Sequence, residues 1–386
     1  SYKPQAHVAR LDIERFHVLL RLNIMQGKHN SRAATLATLL ESRAANYHAG
    51  LRGGAVRSRL ERASLRPFSE LYEFTISSGA TAQRLLVKLP FPNRARPPAA
   101  ADRPRLYWPV APELLAPLEH AAMRHIEEHF SQLNQPQFGC VRVLDLLHGP
   151  DAIVMGKVEG TILRASAVAS ASQRNDRDAV TAFENAGRWL RQFHQLPNLP
   201  HTKPRTTTRD DFIAMTNGFA DYFPTVGAPP WMASVCEFLM RDSESTLSQD
   251  LPLGLAHGDF APRNVIVSSG TRITVLDTLA RWRAPIYEDL ALFLLSLQLS
   301  RGSRALLAGD SIGLTTLSRA FLSGYGDDGE CEWPVLRLFI LQALLDRGCS
   351  YVSARSARNP VAALTRRCKL HVLRRIATSC ISIDSL

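Results

Sequence analysis

The chain has 386 residues, of which 45% are apolar and 21% are charged, as in an ordinary globular protein and unlike a fibrous, disordered or disulfide-rich one. That length predicts two lobes or domains. There is no signal-peptide pattern, and the most apolar helical stretch, 290–299, is far shorter than the roughly 20 residues that cross a bilayer. The six cysteines show no CxxC spacing, which favours reduced thiols in a cytoplasmic protein over disulfides or zinc ligands.

The net charge of +11 is concentrated at the two ends of the chain. Residues 1–66 hold twelve Lys or Arg and four Asp or Glu, and residues 347–377 hold eight Lys or Arg and no acid. The body between them is therefore mildly acidic. Basic ends of this kind could contact an anionic surface weakly, or they could be solvated helix faces. We expect no specific nucleic-acid partner.

The first half of the chain predicts a helical segment followed by strands. Residues 1–64 predict a basic helical extension, and its clearest helix, 31–48, has Ser31 as a plausible N-cap and ends just before Gly50. Apolar runs at 71–76 and 84–89 predict a hairpin, a helix follows at 111–130, and residues 140–147 and 152–158 predict two further strands.

The second half is mostly helical. One hairpin interrupts it, formed by Val265-Ile266-Val267 and 273–276 around the turn Ser268-Ser269-Gly270. We predict an α+β, two-lobed fold with a small β-rich N-lobe at 65–158 and a larger helical C-lobe at 159–386. The helices predicted after the strand region lie at 176–195, 210–223, 230–247, 286–299, 314–324, 333–347 and 360–377.

The hairpin predicts a cation site. Asn264 stands just before its first strand and Asp277 just after its second, so a folded hairpin brings both side chains to the same end. Asp259 lies on the loop that leads to this end. Two carboxylates and an amide oxygen suit a hard cation such as Mg²⁺ that also carries phosphate oxygens. This pattern is the first indication of phosphoryl transfer.

A lysine in the first predicted lobe adds a second charged candidate. Lys88 interrupts the apolar strand 84–89, and its neighbours Leu86 and Val87 make a partly buried ammonium plausible. Such a group requires an anionic partner. Glu119, at the border of the apolar face of the helix 111–130, could pair with it. Each of the two could also be an ordinary surface residue.

These residues together resemble the family of aminoglycoside phosphotransferases and choline kinases, which are small-molecule kinases with the protein-kinase-like fold. The resemblance spans residues 68–299 and depends on HGDFAPRN at 257–264, VLD at 275–277 and YEDLA at 287–291. It implies that Asp259 accepts or orients the proton of an acceptor hydroxyl, while Asn264 and Asp277 hold Mg²⁺ against the phosphates of ATP or GTP.

The resemblance also implies roles for six further residues. Lys88 would contact the α- and β-phosphates with Glu119 fixing it, and the adenine would lie against backbone groups around Met155 and Lys157. His257 and Asp289 would support the catalytic loop. His194, on the helix 176–195, is expected to be packed rather than catalytic.

Three departures from the family pattern restrict the prediction. No glycine-rich phosphate loop is present, since residues 66–70 read RPFSE where one is expected. Gly258 replaces the Arg of the protein-kinase HRD motif. Only twelve positions separate Asp277 from Asp289, which is too short for a protein-kinase activation segment, so we do not expect a protein substrate.

Three functions therefore stay open at the level of sequence. The first is an ATP-dependent kinase of a small polar molecule that resembles an aminoglycoside, an amino alcohol or a sugar. The second is a catalytically silent kinase-fold protein that acts as a regulatory or binding module. The third is a membrane-surface kinase of sugars or lipid head groups, supported by the basic stretch 366–375. Acids at 210–211, 221 and 327–332 could attract a cationic acceptor or could be solvated.

Overall fold

An antiparallel sheet forms the first of two compact units, which lies within residues 1–94 and 143–157, and the second unit lies within 95–142 and 158–386. The computed structural model describes residues 30–52, 54–66, 68–91, 104, 111–165, 177–197, 199, 202–278, 280, 282–300, 316–326, 332–352 and 360–382. The α+β character that the sequence predicts is present within these residues.

The sheet of the first unit has five strands, which are β1 (Arg57–Leu65), β2 (Ser69–Ser78), β3 (Thr81–Pro90), β5 (Val143–Leu147) and β6 (Ala152–Gly156). Their order in the sheet is β1-β2-β3-β6-β5. The hairpin predicted at 71–76 and 84–89 is observed as β2 and β3, with Leu71 opposite Lys88. The pair predicted at 140–147 and 152–158 is observed as β5 and β6.

A helical segment at the start of the described chain covers one face of this sheet. Helix α1 spans 30–42 and helix α2 spans Ala44–Tyr47, so the predicted helix is present, although Ser31 lies inside it and not at its cap. The buried side chains of Leu36, Leu40 and Tyr47 pack in one cluster with Tyr72 and Phe74 of β2. This segment is therefore a layer of the first unit and not an appendage.

Residues 57–64 correct the prediction of a wholly helical extension at 1–64. They form most of β1, which pairs with β2 along its length. The strand is almost entirely exposed, so its sequence shows none of the polar–apolar alternation that identifies a half-buried strand.

The second unit is built from helices around one large apolar cluster. Its helix α3 (Leu115–Gln132) was expected in the N-lobe, but its apolar face packs in this cluster, where the ring of Phe130 stacks on Trp189 at 4.8 Å. The other helices fall close to the predicted ranges. They are α4 (Arg177–His194), α5 (Arg209–Thr225), α6 (Pro230–Thr246), α7 (Ile286–Ser300), α8 (Thr316–Tyr325), α9 (Trp333–Val352) and α10 (Pro360–Ser382).

Two small sheets belong to this unit. Their strands are β4 (Phe138–Gly139), β7 (Thr161–Ile162), β8 (Lys203–Pro204), β9 (Leu253–Leu255), β10 (Val265–Val267), β11 (Ile273–Val275) and β12 (Trp282–Pro285). One sheet has the order β4-β11-β10-β7 and the other β8-β12-β9. Apart from the hairpin, these strands have two to four residues, too few for a pattern to be recognised in the sequence.

Two glycines allow α4 and α8 to pack in direct backbone contact. A Cβ atom at Gly187 would lie 2.0 Å from the carbonyl oxygen of Phe321, and one at Gly324 would lie 1.9 Å from that of Glu184. The close approach fixes Tyr325, the residue after Gly324, next to α4. Among the described residues, no helix is long and apolar enough to cross a membrane.

Candidate active site

The predicted hairpin is present in the second unit as β10 and β11. Val265 pairs with Val275 and Val267 with Ile273 in antiparallel register. Beyond the last pair, the backbone N–H of Leu276 donates to the carbonyl oxygen of Asn264 at 2.8 Å. The backbones that precede β10 and follow β11 therefore converge, as the sequence predicts.

Asp259 and Asn264 are in direct contact. The Nδ2 group of Asn264 donates to the backbone oxygen of Asp259 at 2.9 Å and to its Oδ2 at 3.0 Å. Arg263 forms an ion pair with the same carboxylate and lies 2.6 Å from Oδ2. Two donors thus orient the Asp259 carboxylate. The Oδ1 atom of Asn264 accepts no hydrogen bond from a described residue and is available to a cation.

Asp277 occupies the other end of the hairpin in an uncommon backbone conformation. Its φ is +57°, in the left-handed region that non-glycine residues enter at some cost and that Asp and Asn tolerate best. Asp277 and Thr278 line a cavity of about 20 Å³ together with Trp189. The buried Thr278 Oγ1 and Trp189 Nε1 have no partner among the described residues, and this volume is large enough for one water molecule.

A network anchored on Asp289 holds the loop that carries Asp259. The Asp289 carboxylate accepts from the backbone N–H of His257 at 2.6 Å and from that of Gly258 at 3.0 Å. It also contacts Nε2 of His194 at 3.2 Å, whose Nδ1 lies 2.8 Å from the hydroxyl of Tyr325. These contacts explain why Asp289 is almost wholly buried and yet charged.

Burial and hydrogen bonding act in opposite directions on this network. Burial by itself raises the pKa of Asp289, but the hydrogen bond and charge of His194 and the backbone N–H of His257 outweigh it, so that the pKa lies below its ordinary value. Burial lowers the pKa of His257 although Asp289, Asp259 and Asp277 all act to raise it. The buried imidazole of His257 therefore favours its neutral form in spite of the three carboxylates.

Gly258 has a structural reason to replace the arginine of the protein-kinase motif. Its φ is +81°, a conformation that favours glycine over residues with a side chain. The backbone N–H groups of Gly258 and of His257 before it both donate to the Asp289 carboxylate, which holds the loop.

The cation-binding capacity of the site depends on few protein ligands. No cluster of three or more His, Cys, Asp or Glu side chains suited to a metal occurs among the described residues. Asn264 and Asp277 supply one amide oxygen and one carboxylate, and Mg²⁺ is commonly held by one or two carboxylates with substrate phosphates and water completing its shell. The residues present therefore fit Mg²⁺ bound together with a nucleotide.

The remaining predicted residues lie apart from this loop in sequence, and all of them except Glu119 belong to the first unit. In the first unit, Leu86 lies opposite Met155 and Lys88 opposite Ile153, so Lys88 and Met155 share the face turned away from α1. The ammonium of Lys157 binds Glu73 at 2.5 Å, and its backbone N–H donates to the carbonyl oxygen of Arg84 at 3.2 Å. Glu119 is buried on α3 of the second unit. Its pairing with Lys88 would join the two units and stays a prediction.

Two parts of the site were not predicted from the sequence. Arg263 was not singled out, although its place four residues after Asp259 in a short helical turn puts it within reach of that carboxylate. The partner of His194, Tyr325, lies 131 positions away and has no local signal. The prediction that His194 is packed agrees with its burial, but the ring also supports Asp289.

Comparison with known proteins places this geometry in context. A model of the phosphotransferase enzyme family matches residues 64–339. No curated protein sequence matches the chain significantly.

Among solved structures, the spectinomycin phosphotransferase APH(9)-Ia in complex with ADP and spectinomycin is 12% identical, with a TM-score of 0.53, and the match covers 92% of this chain and 98% of that chain. The AMP-bound complex of the same enzyme gives a TM-score of 0.51 at 11% identity and covers 91% and 98%. The choline kinase LicA from Streptococcus pneumoniae gives 0.45 at 11% identity and covers 88% and 99%. The first two matches confirm the predicted fold class and leave the substrate open.

Proposed function

Because this chain belongs to the phosphotransferase enzyme family and is a small-molecule phosphotransferase, we propose that it transfers the γ-phosphoryl group of ATP to a hydroxyl group of a small polar molecule. The observation that supports this best is the contact of Asp259 with Asn264 at the end of the hairpin that leads to Asp277. GTP is an equally suitable donor, since no described contact reads the base. The nucleotides in the complexes of APH(9)-Ia support a nucleotide donor here.

The proposed step needs one base and one set of charges. The carboxylate of Asp259 accepts the proton of the acceptor hydroxyl as the hydroxyl oxygen forms a bond to the γ-phosphorus. The bond between that phosphorus and the β–γ bridging oxygen breaks, and ADP leaves with the electron pair. Mg²⁺ bound with the nucleotide would neutralise phosphate charge, and Asn264 and Asp277 are the residues that would hold it.

Arg263 and Asn264 prepare Asp259 for this role. Both donate to its carboxylate, so its orientation is set before the acceptor arrives. Asp289 in turn fixes the two backbone N–H groups that precede Asp259. On the nucleotide side, we propose that Lys88 contacts the phosphates, that Glu119 supports it, and that the backbone near Met155 and Lys157 contacts the base.

Replacing Asp259 with Asn tests the proposal. The variant keeps the shape of the side chain and loses the base, so acceptor-dependent release of ADP should fall by a factor of about 10² to 10⁴. Asp178, an exposed residue of α4, provides the control as Asp178→Asn. If ADP release with a matched acceptor is unchanged in Asp259→Asn, the proposed mechanism is wrong. If wild type binds the nucleotide and never turns it over with any acceptor, the protein is the silent kinase-fold module.

A further inference from the structure

A pocket beside the catalytic loop has a basic lining. Its volume is about 160 Å³, and all of its lining residues belong to the second unit. The catalytic loop, α7, α9 and the segment before α4 contribute to it. The lining consists of Arg164, Pro262, Arg263, Ser296, Leu299, Ser300, Arg347 and Tyr351.

Three arginines line the pocket, and its described lining residues include no carboxylate. Arg263 is paired with Asp259, which lies outside the lining set, whereas Arg164 and Arg347 form no ion pair with a described residue. Nζ of Lys369 lies 5.2 Å from the centroid of the ring of Tyr351, which lines the pocket. The carboxyl end of α7 at Ser300 brings roughly half a negative charge, which the charges of Arg164 and Arg347 exceed even when that of Arg263 is balanced by Asp259.

The pocket is connected to the proposed base through Arg263. This residue lines the pocket and binds the Asp259 carboxylate, and Pro262 belongs to the same loop. The Arg263 side chain therefore connects the pocket to Asp259, so a molecule whose anionic group lies between the arginines would have its remaining atoms near that carboxylate. The hydroxyl of Ser296 adds a neutral donor, whereas that of Ser300 donates to the carbonyl oxygen of Leu297 at 2.8 Å, and Leu299 with Pro262 forms an apolar wall.

Two of the acids that could attract a cationic acceptor, Asp210 and Asp211, already have hydrogen-bond partners. Asp211 is occupied at the start of α5, where Thr207 and Thr208 donate their backbone N–H groups to it and Thr208 caps the helix. Asp210 accepts from Gln249 at 3.1 Å. Residues 327–331 lie outside the described residues.

We infer that this pocket is the acceptor site and that the acceptor is an anion, a small hydroxylated molecule that carries a carboxylate or a phosphate group. This inference depends on the proposed function for its phosphoryl transfer, but the charge of the pocket does not. Arginine binds both kinds of oxyanion through two parallel N–H donors. A cationic aminoglycoside or amino alcohol would have to approach these guanidinium groups with no carboxylate among the described lining side chains and with Asp259 already paired with Arg263.

Calorimetry on the full chain saturated with AMP-PNP and Mg²⁺ tests the inference, using four sugars of similar shape. Glucose 6-phosphate and glucuronate carry the two anions, glucose is neutral and glucosamine is cationic. We expect at least one anion to bind about tenfold or more tightly than glucose and glucosamine, since a charged hydrogen bond contributes at least that factor. The stronger of the two identifies phosphate or carboxylate as the preferred group. Tighter binding of glucosamine, or no preference, would overturn the inference.

Variants locate the anion within the pocket. Arg347→Gln should weaken binding of the preferred anion about tenfold or more. Arg347→Lys, which keeps the charge and loses the paired donors, should bind more tightly than Arg347→Gln and less tightly than wild type, and Arg319→Gln, a change at an exposed residue outside the lining, should leave binding unchanged. Equal anion affinity in Arg347→Gln and wild type would contradict the assignment. The Lys variant shows that a loss in the Gln variant comes from charge and not from misfolding.

The two proposals fail in different ways. Transfer to glucosamine in preference to both anions, abolished in Asp259→Asn, would remove the anionic class and leave the kinase. Tight anion binding with ADP release that is insensitive to Asp259→Asn would remove the proposed mechanism and leave the anion site.

Discussion

The carboxylate of Asp289 accepts a hydrogen bond from the backbone N–H of His257 at 2.6 Å, although 32 positions separate the two residues in the chain. The contact joins the first turn of α7 to the loop that carries Asp259. Since α7 is buried on nearly all sides in the core of the second unit, it is a rigid support for that loop. The position of the proposed base is thus set by the core packing.

Replacing Asp289 with Asn should reduce both activity and stability. The neutral amide loses the charge that His194 and the two backbone N–H groups stabilise, at a cost of about 2–4 kcal/mol in the free energy of unfolding. A displaced loop should lower kcat by about 10²-fold. Urea unfolding and acceptor-dependent ADP release measure the two effects. Wild-type kcat in this variant would show that the loop is held by other contacts.

Two substitutions of Asp277 separate the effect of its charge on Mg²⁺ binding from the effect of its backbone conformation on stability. Asparagine tolerates the same left-handed conformation, so Asp277→Asn should keep wild-type stability while it raises the Mg²⁺ concentration for half-maximal activity about tenfold or more. Alanine tolerates that conformation less well, so Asp277→Ala should also be destabilised by about 1–2 kcal/mol. A Mg²⁺ titration with denaturation of both variants measures this. An unchanged Mg²⁺ requirement would argue against Asp277 as a ligand.

The hairpin and its polar ends could be predicted because the information is local. Val265 to Val267 and Ile273 to Val275 are β-branched runs around one turn, and a hairpin brings its ends together whatever packs around it. The strand β1 could not be predicted, because its exposed residues carry no periodicity and its partner supplies the hydrogen bonds. The placement of α3 likewise depends on the core in which Phe130 packs. Phe130 stacks on Trp189, which lies far along the chain and gives no local signal.

The basic pocket was also beyond sequence reasoning. Arg164, Arg263 and Arg347 are spread over almost 200 positions, and each is unremarkable in its own segment. The distribution of charge along the chain did not suggest a basic pocket, since the body between the two basic ends is mildly acidic. Only the fold shows that acids such as Asp211 are used in helix capping while arginines line the pocket.

The buried pair of Glu288 and Arg205 predicts a pH dependence of stability. Both side chains are buried, and Glu288 Oε1 and two nitrogens of Arg205 have no partner among the described residues, so the charges are poorly compensated. Burial raises the pKa of Glu288 to about 7, against the attraction of Arg205, which lowers it. Between about pH 4.5 and 7, the folded state therefore holds more protons than the unfolded state, and stability falls as the pH rises.

The fall of stability with rising pH should disappear if the side chain at position 288 cannot ionise. The free energy of unfolding of wild type should decline by up to about 3 kcal/mol between pH 4.5 and 7, and Glu288→Gln should not show this decline. The exposed Glu237 gives the matched control Glu237→Gln, which should keep the wild-type slope. Urea unfolding at several pH values measures the difference. Parallel curves for Glu288→Gln and wild type would mean that Glu288 is ionised throughout.

The packing of α1 on the sheet predicts that the segment before the family match is required for folding. Leu40 is fully buried against the cluster that includes Tyr72 and Phe74, so Leu40→Ala should lower the free energy of unfolding by about 2–5 kcal/mol. Thr38, two positions earlier on the exposed side, should tolerate Ala with a change of about 0.5 kcal/mol or less. Denaturant unfolding of both variants measures this. Equal stabilities would show that α1 does not contribute to the core, and the first unit would then begin at β1.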